Sequence, residues 1–304
     1  MEHPLETLRE CPSCNKSGFS QQLTCKDYTF SNQRFTIVSC NSCGLLFTNP
    51  RPDESGIGVF YDNPEYVSHT DTQRGLLFWL YGIVKRYTLG QKRKLLEGFT
   101  STKTVLDYGA GSGDFSNELA SNGWEVSSFE PDANARKLIL AKNDKINLTP
   151  SLDSINDGSK SVIALWHVLE HVHRLQYTIQ QFLRILSNDG KLVIAVPNHT
   201  SFDAKFYKEN WAAYDVPRHL YHFHPDTLVS LMESQGFILL AMKPMWFDSF
   251  YVSLLSEKNS TSGGLAKSLT GWVRAFFVGL ISNLVALMDT NKCSSVTYVF
   301  KKGI

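Results

Sequence analysis

The stretch VLDYGAGSGDF, residues 105–115, constrains this chain more than any other. Val105 to Tyr108 read as a strand, Gly109, Gly111 and Gly113 follow within five positions, and a helix-like run starts at Asp114. Such a glycine turn between strand and helix lets a ligand approach the backbone closely. From residue 103 onward, strand and helix patterns alternate. TVLDYG, WEVSSFEP, SVIALWHV, KLVIAVPN and FILLAMKP read as strands, and SSVTYVFKK as a last, more exposed one. DFSNELASNG, DANARKLILAKN, LQYTIQQFLRILSNDG and DTLVSLMESQG read as helices, the third closed by Gly190. Strands separated by single helices predict an α/β fold with a doubly wound sheet, whose ligands sit at the strands' carboxyl ends.

The identity of that ligand follows from charge. A dinucleotide fingerprint carries Gly or Ala at its sixth position; here Asp114 stands there, and Asp107 precedes the loop. Two acids disfavour a phosphate. A cationic, phosphate-free nucleotide suits them, and S-adenosylmethionine (SAM) is one. Glu130 ends the next strand, 17 residues after Gly113, where an acid accepts hydrogen bonds from both ribose hydroxyls.

A second signal lies near the N-terminus. Cys11-Pro-Ser-Cys14 and Cys40-Asn-Ser-Cys43 are separated by 25 residues, with Gly44 after the second pair. Paired C-x-x-C turns supply four soft ligands for one tetrahedral zinc, so Cys11, Cys14, Cys40 and Cys43 are read as a zinc ribbon. Two disulfides or a redox C-x-x-C are the alternatives, both weaker in a chain without a visible export signal. Loss of one thiolate is expected to unfold this head and leave the cofactor domain folded. Cys25 and Cys293 read as small buried hydrophobes.

Charge narrows the partners. Residues 1–60 hold five Lys/Arg and six Asp/Glu, and the whole chain of 304 residues has a net charge of +1. Neither is a footprint for nucleic acid, so no nucleic-acid partner is expected. No secretory signal and no transmembrane segment are apparent, which predicts a cytoplasmic protein; AFFVGLISNLVALM, 275–288, is the nearest approach and is too short to span. The domain expectation is a zinc-ribbon head over 1–50, a linker and helical cap over 51–100, and a cofactor domain over 101–304 carrying an apolar helical insert at about 256–293. The insert is expected to cover the sheet's end or to join a homodimer, with an interfacial membrane helix, which lacks a broad Lys/Arg face here, as the lesser alternative.

Residues 103–252, with 294–302, resemble the class I SAM-dependent methyltransferases. The similarity is greater to a bacterial branch that carries WHVLEHV (166–172) after the fourth strand, DVPRHLYHFHP (215–225) after the fifth, and often an N-terminal C-x-x-C…C-x-x-C-G ribbon. The resemblance implies a Rossmann-like sheet of seven strands, the last antiparallel. It implies that Asp107, Gly109 and Gly111 surround the methionine part of SAM and that Glu130 takes the ribose. Pro131 and Asp132 would lie at the adenine edge, Leu152 and Asp153 on its other side, with Trp166 and His167 closing the pocket. The long insert departs from the short hairpin usual between the last two strands. The acceptor is expected to be a small molecule: a sugar, a natural-product or cell-surface intermediate, or a quinone-type phenol. An RNA methyltransferase and a silent SAM-binding protein are the rival readings.

The sulfonium methyl is already activated, so the protein must chiefly align a nucleophile with it. A hydroxyl acceptor also needs a base, and imidazole suits that near neutral pH. His171, His219 and His222 are the candidates. Glu170 with His171 could hold a divalent ion, but no third ligand is visible in sequence. Arg218 reads as an anion clamp or as a partner of Asp215, and Trp211 and Tyr214 as substrate walls or packing.

Overall fold

The computed structural model describes residues 4–61, 76–260 and 269–303. Much of the expected cap (62–75) and the insert's 261–268 lie outside the described residues. The strands, in chain order, are β1 (Leu5–Glu6), β2 (Phe19–Lys26), β3 (Arg34–Cys40), β4 (Leu46–Thr48), β5 (Arg51–Pro52), β6 (Thr104–Tyr108), β7 (Glu125–Phe129), β8 (Asn147–Leu148), β9 (Lys160–Trp166), β10 (Leu186–Pro197), β11 (Tyr221–His222), β12 (Phe237–Pro244) and β13 (Ser295–Lys302). The α-helices are α1 (Leu76–Glu97), α2 (Asp114–Ser121), α3 (Ala133–Lys142), α4 (Leu175–Ile185), α5 (Phe202–Tyr207), α6 (Pro225–Ser234), α7 (Asp248–Ser260) and α8 (Leu269–Met288).

The main sheet has seven strands in the order β12-β13-β10-β9-β6-β7-β8. The pairs from β10 through β9, β6 and β7 to β8 are parallel. The last strand, β13, runs antiparallel to both β10 and β12. The alternating αβ pattern and the doubly wound α/β fold are therefore present, as is the antiparallel last strand. Leu192 to Val196 are buried without interruption, the signature of a central strand covered on both faces. β8, two residues in the unread stretch KINLTP, is too short for any alternation to reveal. The helix expected to run to Gly190 stops at Ile185, and residues 186–190 already belong to β10. Gly190 serves the strand instead: a Cβ there would lie 2.9 Å from the Ser187 carbonyl, beside the register shift between Leu186 and Lys191.

A second sheet is ordered β11-β4-β3-β2. Its first three members in chain order come from the cysteine-bearing segment, and β11 comes from the DVPRHLYHFHP stretch, pairing Tyr221 with Phe47 and His222 with Leu46. The head is thus stitched into the larger unit by main-chain hydrogen bonds. Buried charge strengthens the seam, since Arg218 reaches Asp27 at 3.1 Å and Arg51 reaches the Tyr221 hydroxyl at 3.1 Å.

The insert forms α7 and α8 between β12 and β13. The helix is longer than the 14 apolar residues suggested: α8 spans 20 residues and, by length and composition, is apolar enough to cross a membrane, with a third of its apolar window buried. Thr270, Trp272 and Arg274 extend the helical run below the apolar core, which is why the apolar segment alone underestimated it. One side of α8 packs on α7, where Gly279 allows close approach to Phe250. Arg274 there pairs with the buried Glu257, which also accepts from the Tyr207 hydroxyl at 2.8 Å. The other side leaves Trp272, Phe276, Phe277, Leu284 and Leu287 exposed.

Candidate active site

The glycine loop is built as its sequence demands. Gly109, Gly111 and Gly113 have φ of 76°, 53° and 77°, a region open chiefly to glycine. A Cβ on Gly109 would lie 2.5 Å from Val168, and one on Gly113 2.7 Å from Ile139; at Gly111 nothing lies within 4 Å, so the middle of the loop faces open space. Glu130 braces this loop, accepting from the Gly111 N–H at 2.8 Å and the Asp132 N–H at 2.9 Å. Burial raises its pKa, and the two N–H donors offset part of that rise. Asp107 is buried beneath the loop and accepts from the Ser116 hydroxyl at 2.5 Å. Burial pushes its carboxyl up to about 6, against the Ser116 hydrogen bond and the charge of Lys92.

The other expected cofactor residues are held by contacts of their own. Asp132 caps α3, accepting from the Ala135 N–H at 2.7 Å, and the Pro131 carbonyl accepts from Arg136 at 2.6 Å. Leu152 is buried, and Asp153 accepts from the Tyr177 hydroxyl at 2.7 Å. Trp166 ends β9, and the Lys92 ammonium lies 4.3 Å from its ring centre. Lys92, which nothing in the sequence singles out, lines one cleft together with Trp166; burial lowers its pKa, and the nearby Asp248 and Asp107 oppose that. His167 follows with φ 58°, its Nε2 3.0 Å from Asp248 Oδ2 and its Nδ1 3.6 Å from Glu170 Oε1. Burial works against the imidazolium, but Asp248 and Glu170 outweigh it and bring its pKa up to about 9. Asp248 was also missed; the only available signal was an acid just beyond FILLAMKP.

The three candidate bases divide. His171 and His219 meet, their rings 4.6 Å apart. His171 Nδ1 lies 3.0 Å from the Arg218 carbonyl and 2.8 Å from the Tyr61 hydroxyl. His219 Nδ1 lies 2.8 Å from the Ala213 carbonyl, and its Nε2 3.9 Å from Glu170 Oε1. Burial and the neighbouring His219 drop the His171 pKa to about 4. His222 is elsewhere, on β11 in the ribbon sheet, with Nε2 3.1 Å from the Thr48 hydroxyl and the Tyr214 ring 5.4 Å away. Burial holds it far below the usual imidazole range.

Arg218 is a structural tie. It is 1% exposed and spans Asp215 (2.6 Å), Asp27 (3.1 Å) and the Phe60 carbonyl (3.1 Å). Trp211 donates to Asp203 at 2.8 Å inside the core. The four cysteines gather as their spacing implied. Cys11 and Cys43 sulfurs are 3.5 Å apart, Cys14 and Cys40 3.6 Å, and all four lie within 4.8 Å of one another. A tetrahedral tetrathiolate with Zn–S of about 2.3 Å needs sulfurs about 3.8 Å apart, so the donor set fits. Asn15 and Gly44, each following a pair, take φ of 57° and 76° and close the two turns.

Beside the end of β9 opens a cleft of about 600 Å³, lined by Tyr87, Lys92, Trp166, Trp246, Phe247 and Asp248 among others. It lies next to the carboxyl edge of the sheet, where this topology places ligands.

Residues 84–241, more than half of the chain, match the family described as "Methyltransferase domain". The chain belongs to that family. It is a SAM-dependent methyltransferase, an assignment that agrees with the glycine loop, the following acid and the sheet order. Among curated proteins, the methyltransferase is 26% identical over 231 residues to the ubiquinone biosynthesis O-methyltransferase of Rickettsia typhi, covering 66% of this chain and 94% of the relative. The namesake from Rickettsia akari is 24% identical over 236 residues, covering 68% and 94%. Among solved structures, the phospholethanolamine N-methyltransferase 2 of Haemonchus contortus, in complex with S-adenosylhomocysteine, shares the fold at a TM-score of 0.51 and 18% identity, covering 94% of this chain and 69% of that one.

Proposed function

We propose that this methyltransferase moves the SAM methyl group to a hydroxyl of a small aromatic acceptor of the quinol type. The observation that carries the reading is the aromatic cleft beside Trp166, which takes a flat ring more readily than a sugar or an RNA strand. The names of the Rickettsia relatives support an O-methyl acceptor of this class. Asp107, Gly109 and Gly111 hold the methionine part of SAM, with Lys92 on its carboxylate side. Glu130 takes the ribose, Pro131, Asp132, Leu152 and Asp153 frame the adenine, and Trp166 with His167 closes the pocket. His171 or His219 receives the acceptor's proton. His222, bonded to Thr48 in the ribbon sheet, takes no part in that step in this reading.

The four cysteines hold one structural zinc, which fixes the ribbon strands against β11. The protein works in the cytoplasm, and the exposed face of α8 joins two copies. Acceptor choice is tested by S-adenosylhomocysteine release with three probes: a catechol bearing an apolar chain, nucleotide sugars, and bulk tRNA. Turnover is expected with the catechol; turnover confined to sugar or tRNA would refute the reading. His171→Asn and His219→Asn should keep SAM affinity while turnover falls about 10²–10⁴-fold in at least one of them, the usual contribution of a positioned base.

A further inference from the structure

The insert does more than lengthen the chain between β12 and β13. Where β12 turns into it, Trp246, Phe247 and Asp248 line the cleft beside Trp166. Polar ties to α8 hold that turn. Asn283 donates to the Trp246 carbonyl at 2.8 Å and accepts from the Ser249 hydroxyl at 3.0 Å. The Phe247 ring meets Tyr87 of α1 edge-on at 6.0 Å, so insert and α1 touch within the lining. Asp248 is the one carboxylate among the residues that line the cleft, and 24% of its side chain is exposed. Its Oδ2 lies 3.0 Å from Nε2 of His167, whose ring is protonated between Asp248 and Glu170. Burial opposes the Asp248 charge, but the His167 imidazolium outweighs it and keeps the carboxyl below the usual carboxylate range. The second oxygen, Oδ1, receives no hydrogen bond from a described residue; the neighbouring Ser295 hydroxyl is buried and completes none.

An ionised carboxylate can only accept hydrogen bonds, so a ligand that meets Asp248 must bring a donor. That donor is neutral. Lys92, Lys94 and Lys243 line the same cleft, and three ammonium groups repel a cationic acceptor. A hydroxyl on a flat ring satisfies both conditions and suits the aromatic walls. Since His171 or His219 takes the proton of the hydroxyl being methylated, Asp248 meets a second one on the same ring. We infer that Asp248 determines acceptor specificity by accepting a hydrogen bond from a second hydroxyl of the ring whose first hydroxyl is methylated. The inference rests on the quinol-type reading of the acceptor and names the part of that acceptor the site demands. A site built to bond a hydroxyl rejects the analogue that lacks it, because its own polar group is then left unpaired. Trp246 and Phe247 meet the ring and not the hydroxyl, so they serve both compounds alike.

Two probes with the same apolar chain test it on the full-length protein: a catechol, and the phenol that lacks one hydroxyl. The wild type should show a kcat/KM for the catechol about 10–100-fold above that for the phenol, the usual worth of a hydrogen bond to a charged group. Asp248→Ala should lose most of that preference, falling on the catechol and far less on the phenol, with SAM affinity unchanged. Asp248→Asn, of the same shape, guards against misfolding and should lower the preference in the same direction. Trp246→Ala should weaken both probes alike. Calorimetric titration of the S-adenosylhomocysteine-loaded protein with each probe reads the same preference without turnover. Equal use of the two probes by the wild type overturns the inference, as does a preference kept in both folded Asp248 variants. A fall on both probes alike, with SAM affinity lost as well, marks a purely structural Asp248 and overturns it too. Failure of the acceptor reading has a different signature: the wild type turns over neither probe. The Asp248 assignment then stands only if calorimetry still shows the catechol bound more tightly through Asp248, and falls with the acceptor reading if it does not.

Discussion

The glycine-loop half of the molecule and the ribbon–histidine half are built on opposite principles. Between β6 and β7 the contacts that brace the glycine loop are short in sequence: Glu130 braces Gly111 across 19 positions, and Ser116 bonds Asp107 across nine. Around the histidines the ties to the N-terminal segment are long. Arg218 reaches Asp27 across 191 positions, His222 reaches Thr48 across 174, and Tyr61 reaches His171 across 110. The first half can hold its ligand as a local unit. The second exists only when the N-terminal sheet is docked on the core. Damage in the two halves should therefore read out differently: loss of cofactor affinity in one, loss of turnover and global stability in the other.

The largest expected effect is at the cysteines. Cys40→Ser should abolish zinc binding, and structural zinc sites contribute roughly 10–16 kcal/mol of apparent binding energy. The ribbon strands should melt, β11 should lose its partner strand, and turnover should vanish while SAM still binds the glycine loop. Elemental analysis, thermal melting and calorimetry with SAM check this. Retained turnover would show that the two halves are separable after all.

Arg218→Met comes next. It strands Asp27 and Asp215 without their shared cation, which should cost about 3–5 kcal/mol in urea unfolding, the usual penalty for breaking a buried pair. SAM affinity per folded molecule should stay unchanged. An equal fall in SAM affinity would erase the contrast between the two halves.

In the cofactor half, Asp107→Asn tests a pH effect. Burial raises the folded pKa of Asp107 to about 6 from 3.8. The group's favourable contribution is thus fully present below pH 3.8 and is lost as pH rises through 6. Across that window the ligand-free wild type should lose about 3 kcal/mol relative to the asparagine variant, from two pKa units at 1.36 kcal/mol each. Parallel stability profiles for the two proteins would count against a buried, proton-holding Asp107. The smallest effect is expected for Glu130→Ala, which should weaken SAM binding by about 1–3 kcal/mol, the cost of a lost charged hydrogen-bond partner. Calorimetry reads it; unchanged affinity would remove Glu130 from the site.

What the sequence by itself determined is the local half. Strand, glycine turn, helix, strand and acid at 105–130 already specify the cofactor loop, because three glycines in left-handed conformation and one bracing carboxylate are short-range geometry. The paired C-x-x-C turns are legible for the same reason: each turn positions two sulfurs by backbone alone. The two-residue β8 and the early end of α4 escaped because period and propensity average over more residues than either contains. Tertiary structure alone decided the rest. It sent His222 into the ribbon sheet and His219 to His171, although only two residues separate them, because β11 pairs with β4 while the turn from Asp215 to His219 is pulled inward by buried Arg218. It also brought Lys92 and Asp248, 156 positions apart in sequence, to Trp166. Long-range contacts of this kind carry no periodicity, so only the folded chain reveals them.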